Sequence, residues 1–145
     1  MKKPLTEIID RGLDPTGFGY FGASRGKRKH KGHDIVSIPG ESAVSMIEGI
    51  VTKIGYAYAN ALQFRYVQVE NIDYKIWLMY LKPSENIKLG SVVCEGERVG
   101  YCLDVAKYHN KGKKKGDDMM INHLHVQNWK NNVLIDPNTY LQEMK

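Results

Sequence analysis

The chain has 145 residues, 42% of them hydrophobic and 26% charged, which suits one globular domain large enough to bury a core. No apolar run approaches the roughly 20 residues that span a bilayer, so membrane insertion is excluded, and two cysteines, Cys94 and Cys102, are too few for a disulfide framework. The net charge of +5 is local: Arg25, Lys27, Arg28, Lys29 and Lys31 form one cluster and Lys111, Lys113, Lys114 and Lys115 a second, and outside them 12 basic groups face 16 acidic ones. Such clustering points to a specific anionic partner and away from a general polyanion coat.

Leu5, Ile8, Ile9 and Leu13 recur at helical spacing after Pro4, so residues 1–17 read as a short N-terminal helical extension and residues 18–145 as a single domain. The N-terminus has two lysines but no apolar run behind them, unlike a secretory signal. The expectation is a protein made in the cytoplasm without a signal peptide, or one whose signal has been removed. Residues 16–33, rich in Gly and basic side chains, read as loop. Strands follow in "DIVSIP" and "AVSMIEGIVTKIG", with a turn at residues 48–49. "RYVQVENIDYKIWLMYLKP" alternates on both sides of "NID" and predicts a hairpin, with Tyr66 and Trp77 packing across it. "LGSVVCEGERVGYC" gives two or three short strands. Cys94 and Cys102 read either as a pair across a hairpin or as two reduced thiols. "HNKGKKKGDD" is a loop, "MINHLHVQNW" a last core strand, and "IDPNTYLQ" a turn with a terminal hook. The fold class is therefore mainly β.

The chemistry concentrates in two short stretches. His30-Lys31-Gly32-His33-Asp34 contains H-x-x-x-D, and His123-Leu124-His125 is H-x-H. On a strand, His123 and His125 project from one face. Imidazole and carboxylate ligate zinc well, and a catalytic site commonly uses three protein ligands. His30, Asp34 and one of the His123/His125 pair supply such a set, and the remaining histidine would move protons beside it. His33 reads as a rim residue, His109 as a solvated loop residue, and Trp129 as a packing residue.

Around these stretches the chain resembles the lysostaphin-like zinc endopeptidases, which cut peptides of bacterial peptidoglycan. "FGASRGKRKHKGHDI" is similar to that family's opening R-x-H-x-G-x-D block through Arg28, His30, Gly32 and Asp34. The G-x-x-V-x-x-G-x-x-V-G rhythm matches at Gly90, Val93, Gly96, Val99 and Gly100. "HLHV" and "DPNTYL" look like its H-L-H strand and its closing block, so the resemblance runs from about residue 18 to residue 141. It implies a compact antiparallel β domain with a groove over one Zn2+ per chain. The implied ligands are His30, Asp34 and His125, with His123 catalytic. The family's second catalytic histidine, in a Y-x-H-L block, falls on Tyr80 of Leu78-Met79-Tyr80-Leu81, and a phenol can also donate to an oxyanion.

The resemblance implies a zinc-dependent endopeptidase acting at the bacterial cell wall on stem or cross-bridge peptides. It fits a phage lysin released by a holin, or a virion-associated enzyme, working as a monomer. Arg28, Lys29, Lys113 and Lys114 are expected to line the cleft and attract the anionic wall polymer. The alternative is a catalytically impaired zinc-containing binding module of the same fold, recognising a cell-wall polymer or a protein partner. Nucleic-acid binding, with Phe18, Tyr20 and Phe21 stacking on bases, leaves the histidine and aspartate spacing unexplained and is set aside.

Overall fold

The computed structural model describes residues 1–145. Two small ribbons lead the chain. β1 (Leu13–Asp14) pairs with β2 (Gly17–Phe18), and β3 (Ser24–Arg25) with β4 (Arg28–Lys29). The main antiparallel sheet then takes up β5 (His33–Val36), β6 (Ser42–Val44), β7 (Gly49–Tyr56), β8 (Arg65–Glu70), β9 (Tyr74–Pro83), β10 (Val92–Val93) and β11 (Arg98–Cys102). A short helix, α1 (Val105–His109), precedes β12 (His123–Lys130) and β13 (Val133–Ile135), and α2 (Asn138–Leu141) closes the chain. No helix is long and apolar enough to cross a membrane.

Alternation sets the two faces of the sheet. Ile76 and Leu78 of β9, Val67 and Val69 of β8, and Leu124 and Val126 of β12 are buried in one apolar core. The opposite face of β9 and β12 carries Trp77, Met79, His123, His125 and Gln127, which line a cleft. The predicted hairpin is β8–β9, and Tyr66 stacks on Trp77 with ring centroids 4.2 Å apart. Trp129 packs next to Trp77 at 5.1 Å.

The alternation breaks at Tyr80. Leu81 pairs with Arg65 and Met79 with Tyr66, so Tyr80 is the extra residue of a β-bulge. Its φ of +77° lies in the left-handed region, which costs a side-chain-bearing residue roughly 1–2 kcal/mol. The same residue marks a change of partner, because β9 pairs with β12 up to Met79 and with β11 from Leu81. The bulge returns Leu81 to the core, fully buried, and leaves Tyr80 on the cleft face.

The predicted N-terminal helix is absent. Leu5 and Ile8 are buried in the main core, but Ile9 and Leu13, the other half of the helical pattern, are exposed. The backbone of residues 2–11 pairs with strand edges instead. Val44 N–H donates to Pro4 O, Val36 N–H to Ile9 O, and Arg11 N–H to Asp34 O. Residues 1–17 are thus part of the domain's own packing and not an appended helix. Helical character appears only in α1, in α2 at the predicted terminal hook, and in a 3-10 turn, Gln142–Met144, directly after it. Cys94 is exposed and Cys102 buried, both as free thiols.

Leu124 is fully buried directly beneath the H-x-H pair. Leu124→Ala is expected to cost about 2–5 kcal/mol in urea unfolding, whereas Lys115→Ala in the exposed loop stays within about 0.5 kcal/mol.

Candidate metal centre

β5 and β12 lie side by side with His125 opposite Asp34, and the loop before β5 carries His30 to the same point. Asp34 Oδ1 lies 2.8 Å from His125 Nδ1 and 3.3 Å from His30 Nε2, and the two nitrogens are 3.0 Å apart. Ligands about 2.0–2.1 Å from a tetrahedral zinc sit roughly 3.3 Å from one another, so a few tenths of an ångström of expansion would fit the ion.

The outer hydrogen bonds decide what these three atoms present. His30 Nδ1 faces Tyr20 O at 3.0 Å, and a carbonyl can only accept, so that nitrogen carries the proton and Nε2 keeps a lone pair. His125 Nε2 donates to Gln127 Oε1 at 2.9 Å, which leaves Nδ1 with the lone pair. Two imidazole lone pairs and a carboxylate oxygen therefore converge in a buried site. Such a set repels itself unless a cation sits at its centre. The residues present fit a zinc-type ion. All three expected ligands meet here, and they form the chain's one cluster with metal-ligand geometry.

The other carboxylate oxygen is anchored separately. Arg11 Nε donates to Asp34 Oδ2 at 3.1 Å, and Arg11 also pairs with Asp14 and donates to Thr16 Oγ1. Burial alone would push the Asp34 carboxyl up, but its contacts with the His125 and His30 rings outweigh burial and hold the group well below the usual carboxylate range. Gly32 is required by close approach: a Cβ there would lie 2.3 Å from Val126 O and 2.6 Å from the His125 ring.

His123 stands next to this cluster without joining it. Its Nδ1 donates to Ile121 O at 2.7 Å, so Nε2 holds the lone pair, 3.8 Å from Asp34 Oδ2. Burial pushes the imidazole below its ordinary pKa, partly offset by the Asp34 charge, and the ring is neutral near pH 7. Ile121 N–H in turn donates to Asp14 Oδ2 at 3.0 Å. The N-terminal segment thus holds both a candidate ligand and the residue that orients His123. Tyr80 sets its ring edge-on to His123, with centroids 5.3 Å apart.

A cleft of about 510 Å³ covers these groups. The β3–β4 ribbon and the loop behind it supply one wall through Arg25, Arg28, Lys29 and Lys31, and Tyr58, Tyr80 and His109 supply another. Lys113 and Lys114 are not brought to the cleft. Asn110 exchanges hydrogen bonds with Met120, closing the base of the lysine loop, and Lys113 Nζ turns back onto Asp118 O. Two further readings change. His33 is buried, with Nε2 2.9 Å from Asp10 Oδ1, and is no rim residue. His109 ends α1 and reaches the Tyr58 hydroxyl, so it is not merely a solvated loop residue. Arg11, Tyr58 and Gln127 escaped the sequence reading. Of these only Gln127 carried a signal, being two residues beyond His125 on the same strand face.

No protein-family profile matches the chain, and no curated protein does. Solved structures match in fold. The catalytic domain of the antimicrobial peptidase lysostaphin from Staphylococcus simulans is 21% identical with a TM-score of 0.61, over 87% of this chain and 90% of that domain. Csd3 from Helicobacter pylori is 20% identical with a TM-score of 0.65, covering 97% of this chain. A zinc-containing peptidase from Vibrio cholerae is 21% identical with a TM-score of 0.54, covering 99% of this chain. The chain spans only about a third of the length of the latter two, 32% and 36%. The fold is that of the lysostaphin-like peptidases.

Elemental analysis is expected to find one zinc per chain, lost in His30→Ala and His125→Ala. Arg11→Gln should fold, by circular dichroism, but bind zinc about 10–100-fold more weakly, since the anchor of a ligating carboxylate is removed.

Proposed function

We propose that this chain is a zinc-dependent endopeptidase that cleaves peptide bonds of bacterial peptidoglycan. The observation that carries the reading is the convergence of the His30, Asp34 and His125 lone pairs with His123 Nε2 held free beside them. The likeness in fold to peptidases, one of them zinc-containing, supports it.

His30 Nε2, Asp34 Oδ1 and His125 Nδ1 would hold the ion, with Arg11, Tyr20 and Gln127 fixing those atoms. Bound there, zinc supplies Lewis acidity for a carbonyl and lowers the pKa of water at its open position. His123 Nε2 accepts a proton from the attacking water and returns it to the leaving amine. Tyr80 is a phenol donor for the carbonyl oxygen as that oxygen gains charge. Burial pushes its pKa far up, so it keeps its proton. Arg25, Arg28, Lys29 and Lys31 attract the carboxylates and phosphates of wall polymers, an attraction that weakens with salt. We place its action at the bacterial cell wall, as a phage lysin or a virion-borne enzyme.

A second reading rests on Tyr80 alone. A zinc-containing binding module that has lost catalysis, recognising a wall polymer or a protein partner, would keep the ligands and tolerate a tyrosine where the resemblance expects a histidine.

Digestion of purified peptidoglycan separates the two. The zinc-loaded protein is expected to release new amino termini, to stop on chelation and to recover with added zinc. His123→Ala should lower the rate about 10²–10⁴-fold, and Tyr80→Phe about 10²–10³-fold. Release of amino termini by Tyr80→His alone, with none by the natural chain, would establish the binding module instead.

A further inference from the structure

One wall of the cleft carries chemistry that the roles above leave unused. Tyr58, two residues past the end of β7, stacks on Tyr80 with ring centroids 5.8 Å apart and planes 27° apart. Its hydroxyl lies 2.8 Å from Nε2 of His109, the last residue of α1, across 51 positions of sequence. Both residues line the same cleft as His123 and His125. The arrangement runs from His109 to Tyr58, from Tyr58 to Tyr80, and from Tyr80 to the edge of His123.

The Tyr58–His109 bond joins two groups that face the cleft, where Tyr58 also stacks on Tyr108 of α1 with ring centroids 6.1 Å apart. Tyr58 is half-buried and His109 exposed, so neither belongs to the main core. Tyr58 also has the chemistry of a donor. Burial pushes its phenol above the ordinary value, and it keeps its proton at neutral pH. Burial pushes the His109 imidazole down, so that ring is neutral there and one of its nitrogens carries a proton. With the proton on Nε2, His109 donates to the Tyr58 oxygen, and the phenol's own proton is free to point into the cleft.

We infer that Tyr58 is a second catalytic donor to the substrate carbonyl oxygen, acting beside Tyr80, and that His109 positions its hydroxyl. The inference rests on the endopeptidase reading and adds two residues to it. Two phenols on one wall, braced by an imidazole from α1, would do the work of the single histidine that the resemblance expects at position 80.

The test combines kinetics with oxyanion binding. Tyr58→Phe is expected to lower kcat on peptidoglycan about 10–100-fold with little change in KM. His109→Phe, which keeps a ring but no donor, should do the same, and His109→Gln, which keeps a donor, should recover most of the loss. The double variant Tyr58→Phe/His109→Phe should be no slower than Tyr58→Phe alone, because the two residues act as one unit. Independently of activity, inorganic phosphate titrated into the cobalt-substituted protein, read by its visible spectrum, should bind about tenfold more weakly in Tyr58→Phe at unchanged metal content. Wild-type kcat and phosphate affinity in Tyr58→Phe overturn the inference, and fully additive losses in the double variant overturn the role of His109. If the natural chain releases no amino termini, the endopeptidase reading fails. Weaker phosphate binding by Tyr58→Phe would then still support Tyr58 as an oxyanion donor, and unchanged binding would overturn that too.

Discussion

A single buried carboxylate organises this domain. Asp34 is almost out of solvent, a state that disfavours its charge, yet the contacts of the His125 and His30 rings and the hydrogen bond from Arg11 keep it ionised. Its backbone is gripped as firmly: Asp34 N–H donates to Gly19 O, and Asp34 O accepts from Arg11 N–H. Ionic groups are buried only where partners compensate the lost hydration. Here the compensation on one side is Arg11 and on the other a set of atoms arranged for a cation. The N-terminal segment is folded against β5 because Arg11 must reach Asp34. β12 lies against β5 in the register that sets His125 opposite it. Much of the topology near the cleft follows from satisfying one carboxylate.

The residues that carry chemistry were legible in the sequence to very different degrees. H-x-x-x-D and H-x-H could be read because each is local: a short loop places His30 near Asp34, and strand alternation puts His123 and His125 on one face. The hairpin of β8 and β9 was legible for the same reason. Arg11 was not, because 23 residues separate it from Asp34 and only tertiary packing brings them together. The apolar residues near it, Leu5, Ile8, Ile9 and Leu13, mimic a helical stripe. Yet two of the four face solvent, and the segment's backbone bonds go to neighbouring strands. Helical spacing in a window that short has weak cooperativity, and pairing with a sheet edge wins. The lysine loop misled in another way. Proximity to the H-x-H strand in sequence did not become proximity in space, because Asn110 and Met120 close the loop at its base.

The bulge at Tyr80 shows how local strain and position of function coincide. A regular strand would send this residue to the core face with Ile76 and Leu78. The extra residue turns its side chain into the cleft and lets Leu81 resume the core. The three-residue step from Leu78 to Leu81 in an otherwise period-two strand is the one trace of it in the sequence. A positive φ on a tyrosine is unfavourable in isolation, so the surroundings must hold it, and such positions cluster at functional sites. The change of partner from β12 to β11 at this point provides that restraint.

The two walls of the cleft divide the labour by charge. The ribbon wall is cationic, through Arg25, Arg28, Lys29 and Lys31, a charge that favours an anionic partner. The opposite wall is neutral: two phenols kept protonated by burial and an imidazole kept uncharged by it. Neutral donors suit the inner wall because Arg11 already sets one fixed positive charge beside Asp34, and a second would add repulsion toward the ion those groups are arranged to hold. A histidine at position 80 could gain a proton and become such a charge, whereas a phenol cannot. Tyr80 is a donor that adds no charge. The contact from His109 through Tyr58 is then the means by which this longer side chain is held at the site.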